Sequence, residues 1–309
     1  MGSDGPLFSV VLPTYNRAGI VMDAIKSVLA QTYADFEFIV VDDRSTDDTQ
    51  EVLAAIEDPR VTVVVNERSK GNAGARNMGI FRARGSWVCQ IDSDDLWPED
   101  MLELFAAAID TAPADVGIVY GTLVYLDTRT GLIRDIRTAE RTGWLHDLLL
   151  EDHFMSHCSA ALRTEALIAI GGYDETFRQQ ADSDLLIRLS RDCAVAAVPE
   201  AKYTVREGHE DRLMVNPGAL LAFEHLYDKH VFELARLPHA RYRQLLKIFD
   251  LAIIYRDLPS VAWAWPRMLP SLWREPDIVR QFLSRQARLG GLVMSKAKGR
   301  MRSLLPTVG

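Results

Sequence analysis

Three carboxylates fall within four residues at Asp92-Ser93-Asp94-Asp95, directly after the apolar run Trp87 to Ile91. A set this close repels itself unless a cation or a donor neutralises it. Mg2+ and Mn2+ take hard oxygen ligands, commonly one or two carboxylates together with phosphate oxygens and water. A short acidic turn can therefore hold a metal that clamps a diphosphate. The competing account is an exposed acidic turn ahead of a helix that opens near Pro98. Two more polar clusters also follow apolar runs. Pro13-Thr14-Tyr15-Asn16-Arg17 comes after Phe8 to Leu12, and Asp42-Asp43-Arg44-Ser45-Thr46-Asp47 comes after Phe36 to Val41. Asp and Ser are common helix N-caps, so any one cluster could merely start a helix. Three at successive run ends point to a site. Between them lies Lys70-Gly71-Asn72-Ala73-Gly74-Ala75-Arg76-Asn77-Met78-Gly79, which is neither G-x-G-x-x-G nor a Walker A sequence. Gly71 and Gly74 permit close backbone approach, and Arg76 falls in the first turns of a helix. That suits an anion, against the plainer account of a glycine-rich loop with a solvated Arg.

The elements that position these clusters alternate in type. Phe8 to Leu12, Phe36 to Val41, Arg60 to Val65, Trp87 to Ile91 and Val116 to Leu126 read as strands. Apolar residues at Val21, Ile25, Val28 and Leu29 have helical spacing, and helices are also expected from Asp47, over Asn72 to Arg84, and from Pro98 to Ile109. Near-continuous apolar strands in βαβ order predict an α/β fold with a mostly parallel sheet covered by helices on both faces. Ligands of such sheets bind beyond the carboxyl ends of the strands, where the three clusters fall. After residue 127 the pattern loosens. Asp127 to Thr142 reads as a hairpin or loop, and short helices are expected at Trp144 to Leu150, Thr164 to Ile170 and Asp182 to Ser190. From about Gly218 the chain reads as helical only, so the expected division is 1–217 and 218–309.

The chain has 309 residues, 48% hydrophobic and 25% charged, which excludes global disorder and fibrous classes. The net charge of −8 argues against nucleic acid as a partner. That charge is uneven: from Pro259 to Gly309 nine basic residues stand against two acidic ones, +7, leaving −15 elsewhere. Trp263, Trp265 and Trp273 lie near the start of this basic stretch, a combination found both in helices that lie on anionic membranes and in packed helical caps. Three widely spaced cysteines, Cys89, Cys158 and Cys193, argue for a reducing compartment rather than a disulfide framework. No apolar stretch is long enough to span a membrane, and the start has no basic n-region, so a cytoplasmic protein that touches the membrane periphery is expected.

Six segments together resemble the inverting family 2 glycosyltransferases, which have the GT-A fold. They are Ser9 to Arg17, Ile39 to Asp47, Gly71 to Gly79, Gln90 to Asp95, Ile170-Gly171-Gly172-Tyr173-Asp174-Glu175, and Asp182-Ser183-Asp184-Leu185-Leu186-Ile187-Arg188-Leu189. Each is weak alone, and all six in order are specific; the resemblance covers roughly residues 7 to 210. It implies that Pro13, Thr14, Tyr15 and Arg17 line a nucleotide site. Asp42 would accept the pyrimidine N–H, favouring a uridine or thymidine donor. It puts Arg76 near base or phosphates, Asp92 and Ser93 at the ribose, and Asp94 on Mn2+ or Mg2+. Asp182 would be the base that takes a proton from the acceptor hydroxyl.

Two positions depart from the family pattern. Ala181-Asp182 stands where the family usually has Glu-Asp, and Asp184 competes for the role of base, though it is also accounted for as a helix-surface residue. Arg206 stands where a His is expected, so either His209, three residues later, contacts the metal or Arg206 holds the phosphate. The Gln-x-x-Arg-Trp pattern of processive synthases is absent, which favours addition of one sugar. The expected reaction moves a sugar from a nucleoside-diphosphate sugar to a saccharide or lipid-linked acceptor in surface-polysaccharide assembly. The rivals are a nucleotidyltransferase that makes the activated sugar, and a non-catalytic nucleotide-sugar-binding protein.

Overall fold

A computed structural model describes residues 5–208 and 218–274. The first half runs β1 (Phe8–Thr14), α1 (Val21–Leu29), β2 (Phe36–Asp42), α2 (Thr49–Ala54), β3 (Val61–Val65), α3 (Asn72–Ile80), β4 (Trp87–Gln90), α4 (Met101–Thr111) and β5 (Val116–Asp127). There follow β6 (Leu132–Arg137), α5 (His146–Glu151), β7 (Ala160–Arg163), α6 (Thr164–Ala169), α7 (Ala181–Leu189) and β8 (Ala194–Glu207). The remaining described elements are α8 (Gly218–Lys229), α9 (Val231–Leu234), α10 (Pro238–Tyr255) and α11 (Leu258–Arg274). The chain divides into two compact units at Leu226/Tyr227, inside α8 rather than at residue 218.

Eight strands form one sheet in the order β3-β2-β1-β4-β7-β5-β6, with β8 paired to β5. β1 pairs in parallel with β2 and β4, β2 with β3, and β5 with β8. β7 is antiparallel to both β4 and β5, so those two strands point the same way. The carboxyl ends of β1, β2, β4, β5 and β8 therefore share one edge, and the chain entering β7 arrives at that same edge. β6 closes a hairpin on β5, as the looser pattern after residue 127 predicts.

Every residue of β1 is buried, because both faces of a central parallel strand are covered. On one face Phe8, Val10, Leu12, Phe38 and Val40 meet Val21, Ile25 and Val28 of α1 and Met101, Leu102 and Phe105 of α4. Each such side chain contributes about 1.5–3 kcal/mol by burial. β3 is the edge strand and is largely solvent-facing, so it reads as apolar without being core. The helix expected from Asp47 begins at Thr49 instead, because the Asp47 carboxylate takes both the Thr49 N–H and hydroxyl in a local turn. The helix expected at Pro98 begins at Met101.

In the second unit, Trp263 packs edge-on against Tyr227, with ring centroids 5.4 Å apart, and lies under the Arg267 guanidinium. Trp265 rests on Phe249 and stays 40% exposed. Two of the three tryptophans are thus held by intramolecular contacts. No helix among the described residues is long and apolar enough to cross a membrane. The basic residues beyond Arg274, and the side chain of Trp273, lie outside the described ones.

Candidate active site

Strand ends deliver the residues expected on the nucleotide side. Pro13 and Thr14 close β1 and are buried; Tyr15, just beyond, is 40% exposed with the Lys70 ammonium 4.1 Å over its ring. The Thr14 hydroxyl oxygen is buried with no hydrogen-bond partner among the described residues. Asp42 ends β2, is buried, and accepts from the Ser45 N–H at 3.1 Å and the Gln50 amide at 2.8 Å. Each carboxylate oxygen retains a second lone pair for a ligand. Arg17 donates its backbone N–H to Thr49 Oγ1, pinning the loop after β1 to α2. Asp43 binds the Gly71 N–H at 2.8 Å and the Asn66 amide at 2.6 Å, which ties the end of β2 to the glycine-rich loop.

Arg76 sits in α3, 5% exposed, and is not solvated. Its guanidinium pairs with Asp92 and approaches the Tyr173 ring, while its Nε is buried with no hydrogen-bond partner among the described residues. Burial is the largest single influence and would lower its pKa; the charge of Asp92, with smaller contributions from Tyr173, Cys158 and Asp182, raises it overall, so the group stays cationic. Burial acts to raise the Asp92 carboxyl in turn; Arg76 and His157 override it and hold the group below the usual carboxylate range.

The acidic turn is braced from β8. Asp95 is 4% exposed and accepts from Tyr203 OH and from the Arg206 N–H, both at 2.9 Å. The Arg206 guanidinium donates to the Asp94 carbonyl and to Asp23, so it clamps the turn in the place where a phosphate contact is the alternative expectation. Ser93 is buried beside it. Carboxylate oxygens of Asp92, Asp94 and Asp95 gather within 4.8 Å. Burial, with the charges of Asp92 and Asp94 added, pushes Asp95 up to about 8. This is a hard oxygen donor set whose repulsion a divalent cation would relieve, so the residues fit such an ion. His209 lies outside the described residues.

Asp182 stands in the first turn of α7, behind Gln180, whose φ of 62° turns the chain into the helix. Its Oδ2 lies 3.3 Å from His153 Nε2 and 3.7 Å from His157 Nδ1. Burial would raise its pKa, but His153 and His157 dominate and carry it well below the usual range. His157 is itself buried, and burial lowers its own pKa, helped by Arg76. Ligand atoms of Asp92, His157 and Cys158 fall within 4.8 Å of one another. The acidic turn and Asp182 thus converge on His157. Asp184 is not a surface residue: it is fully buried and accepts from Arg188 Nε at 2.8 Å. Arg188 also binds the carbonyls of Ile170 and Gly172, so Asp184 anchors α7 to the loop before it.

Residues 9–171, more than half of the chain, match the family description Glycosyl transferase family 2. The chain belongs to that family. Among its relatives are the succinoglycan biosynthesis protein ExoO of Rhizobium meliloti (strain 1021) and WfgD of Escherichia coli. ExoO is 41% identical over 125 residues, 40% of this chain and 36% of ExoO. WfgD, described as a UDP-Glc:alpha-D-GlcNAc-diphosphoundecaprenol beta-1,3-glucosyltransferase, is 41% identical over 101 residues, 33% of this chain and 40% of WfgD. The chain therefore spans well under half the length of either relative in the matched segment. A crystal structure of S. aureus TarS 1-349 in complex with UDP-GlcNAc is similar with a TM-score of 0.63 at 21% identity, over 86% of this chain and 79% of that one. The mannosyltransferase PcManGT from Pyrobaculum calidifontis, in complex with GDP-Man and Mn2+, has a TM-score of 0.56 at 20% identity, over 96% of this chain and 81% of that one. At these identities the likeness is one of fold, the GT-A arrangement of a mostly parallel sheet between helices.

Sequence reasoning about this family 2 chain missed His153, His157, Tyr203 and the bracing role of Arg206. His157 lies 25 positions before Asp182 with no spacing rule to join them. The usable signal was local: a His that opens the run Cys158-Ser159-Ala160-Ala161-Leu162 stands at a strand entrance, and here that entrance is at the ligand edge.

Proposed function

We propose that this family 2 chain transfers one sugar from a UDP-sugar to a hydroxyl of a saccharide or lipid-linked acceptor, with inversion, in the assembly of a cell-surface polysaccharide. The observation that carries the reading is the convergence of Asp182 and the acidic turn on His157, which supports a carboxylate base acting beside a diphosphate-type site. In this reading Thr14, Tyr15 and Asp42 hold the base, Arg76 and Asp92 fix the ribose-phosphate end, and Asp182 removes the acceptor proton. The acceptor oxygen forms its bond to the anomeric carbon as the bond to the diphosphate breaks on the opposite face, and the configuration inverts. A sugar hydroxyl is a poor nucleophile at neutral pH, so a positioned carboxylate is needed. Asp94, with Asp92, would hold Mn2+ or Mg2+, which when bound offsets the charge of the departing diphosphate. The description of WfgD and the UDP-GlcNAc seen on TarS support a uridine donor. The basic stretch 259–309 supports work at the inner face of an anionic membrane.

The test is nucleotide release from UDP-glucose, UDP-N-acetylglucosamine and GDP-mannose, with Mn2+, with Mg2+ and with excess EDTA. Metal-dependent UDP release that is lost in Asp94→Ala, while the fold persists by circular dichroism, is the expected result. Undiminished turnover in EDTA would remove the metal from the reading, and release of GDP alone would remove the uridine donor.

A further inference from the structure

We infer that Glu175 is a positioning residue through which the β3–α3 loop, residues 66–71, steadies the segment that carries Asp182. The inference rests on the reading of a uridine donor held by Tyr15 and of Asp182 as the base. It adds how filling the one site sets the other.

Glu175 follows the Gly171-Gly172 turn and precedes Asp182 by seven residues. Its Oε1 accepts from Arg68 Nε at 2.6 Å and from Asn77 Nδ2 at 2.8 Å, and its Oε2 accepts from the Ser69 hydroxyl. Two of these donors stand in the 66–71 loop and the third in α3. Hydrogen bonds to an ionised carboxylate are roughly twice as strong as neutral ones, so this is a firm junction. The loop is tied at its other side to Asp43, the neighbour of Asp42. Asn66 donates to Asp43 Oδ1 at 2.6 Å and to the Ser69 carbonyl at 2.9 Å, and the Gly71 N–H donates to Asp43 Oδ2 at 2.8 Å. A Cβ at Gly74 would fall 2.0 Å from the Ser69 carbonyl, so the loop lies directly on the first turn of α3. Lys70, the residue after Ser69, holds its ammonium 4.1 Å over the Tyr15 ring. Beyond Glu175, Asn77 takes both the N–H and the carbonyl of Tyr173, and Arg188 of α7 donates to the Gly172 carbonyl at 2.8 Å. A run of polar contacts thus leads from Tyr15 to α7, and at Glu175 it crosses from one loop to the other. A base laid on Tyr15 meets Lys70 and restrains 66–71. Glu175 passes that restraint to 172–182, so the second segment is ordered at less cost once the first is held. Glu175 does not touch the reacting atoms; it acts through the segment that presents Asp182.

Amide hydrogen exchange of the full chain, with and without saturating UDP and Mn2+, reads this link. In the wild type UDP should slow exchange in 66–71 and also in 172–182, a segment assigned no contact with the nucleotide. In Glu175→Ala the slowing should persist in 66–71 and be lost in 172–182. Glu175→Gln keeps an oxygen for Arg68 and Asn77 and gains an amide that can donate to Ser69 Oγ, so it should keep the wild-type pattern. In turnover, Glu175→Ala should lower kcat by about 10- to 100-fold, the effect of misplacing a reacting group, with a smaller rise in donor KM. Should Glu175→Ala not fold, Ser69→Ala decides: it removes the Oε2 contact, leaves Asn77 on Tyr173, and should weaken the slowing in 172–182 alone. Slowing confined to 66–71 in the wild type would overturn the inference. So would equal slowing in 172–182 with and without the Glu175 carboxylate, or a wild-type kcat in Glu175→Ala. Slowing in neither segment is a separate outcome, which removes the uridine-donor reading and this inference with it. Wild-type turnover in Asp182→Asn does the same for the base.

Discussion

A Cβ at Gly172 would stand 2.4 Å from Asn77 Oδ1, an oxygen that already accepts the Tyr173 N–H at 2.7 Å. Asn77 also donates to the Tyr173 carbonyl, so one amide side chain, the next residue after Arg76, grips the loop that leads to α7. Gly172 has φ +68°, where an L side chain costs about 1–2 kcal/mol before any clash. Gly172→Ala should therefore destabilise the fold by at least about 2 kcal/mol, read from urea unfolding, and should lower turnover by shifting Tyr173 against Arg76.

Asp182→Asn should leave donor binding intact and cost roughly 10²–10⁴-fold in turnover, the range for removing a general base. Asp184→Ala should behave differently. It removes the carboxylate partner of the largely buried Arg188, a loss of about 3 kcal/mol in folding stability. Paired turnover and unfolding measurements on the two variants check the contrast; a stable Asp184 variant with no activity would reverse the assignment.

The strand-end clusters, the βα alternation and the hairpin after residue 127 were legible in the sequence, because each is a local pattern: a buried run, then polar residues at its carboxyl end. The role of Asp184 was not. Its place in α7 reads as surface until Arg188 and the carbonyls of Ile170 and Gly172 are seen to enclose it. β7 was missed because four residues are too few to show a period, and its antiparallel direction is what brings His157 to the ligand edge. Nor could sequence spacing join Asp95 to Tyr203, a contact 108 residues apart.

The Glu175 carboxyl has a pKa near 2 against its usual 4.5. Burial acts to raise it, and hydrogen bonds from Asn77, Ser69 and Arg68, with the charge of Arg68, prevail. A depressed carboxylate stabilises the fold fully above its unfolded value and loses that contribution as pH falls through its folded value. Comparison of wild type with Glu175→Gln by urea unfolding should give a constant stability gap above about pH 5 that shrinks from about pH 4.5 toward 2. A gap that is the same at pH 7 and pH 3 would contradict this account.

Residues 275–309 carry seven basic side chains, Arg280, Arg285, Arg288, Lys296, Lys298, Arg300 and Arg302. An anionic leaflet attracts each by about 1 kcal/mol within a Debye length, so three or four in reach give roughly 3–4 kcal/mol. Binding to phosphatidylserine vesicles should exceed binding to neutral ones, weaken with salt, and be lost when 275–309 are removed. UDP release should survive that removal. Equal sedimentation with both vesicle types would argue for a packed cap instead.

β8 has a consequence for how the protein becomes active. The acidic turn is complete in sequence at Asp95, yet its two braces, Tyr203 and Arg206, arrive 108 and 111 residues later. β8 reaches them as the parallel partner of β5, a non-local pairing of the kind that forms slowly. Until that strand docks, Asp95 has neither partner and the carboxylates repel one another without a frame. A chain emerging from the ribosome presents Asp92-Ser93-Asp94-Asp95 before either of these braces has been made. The last strand of the sheet is thus the one that closes the turn.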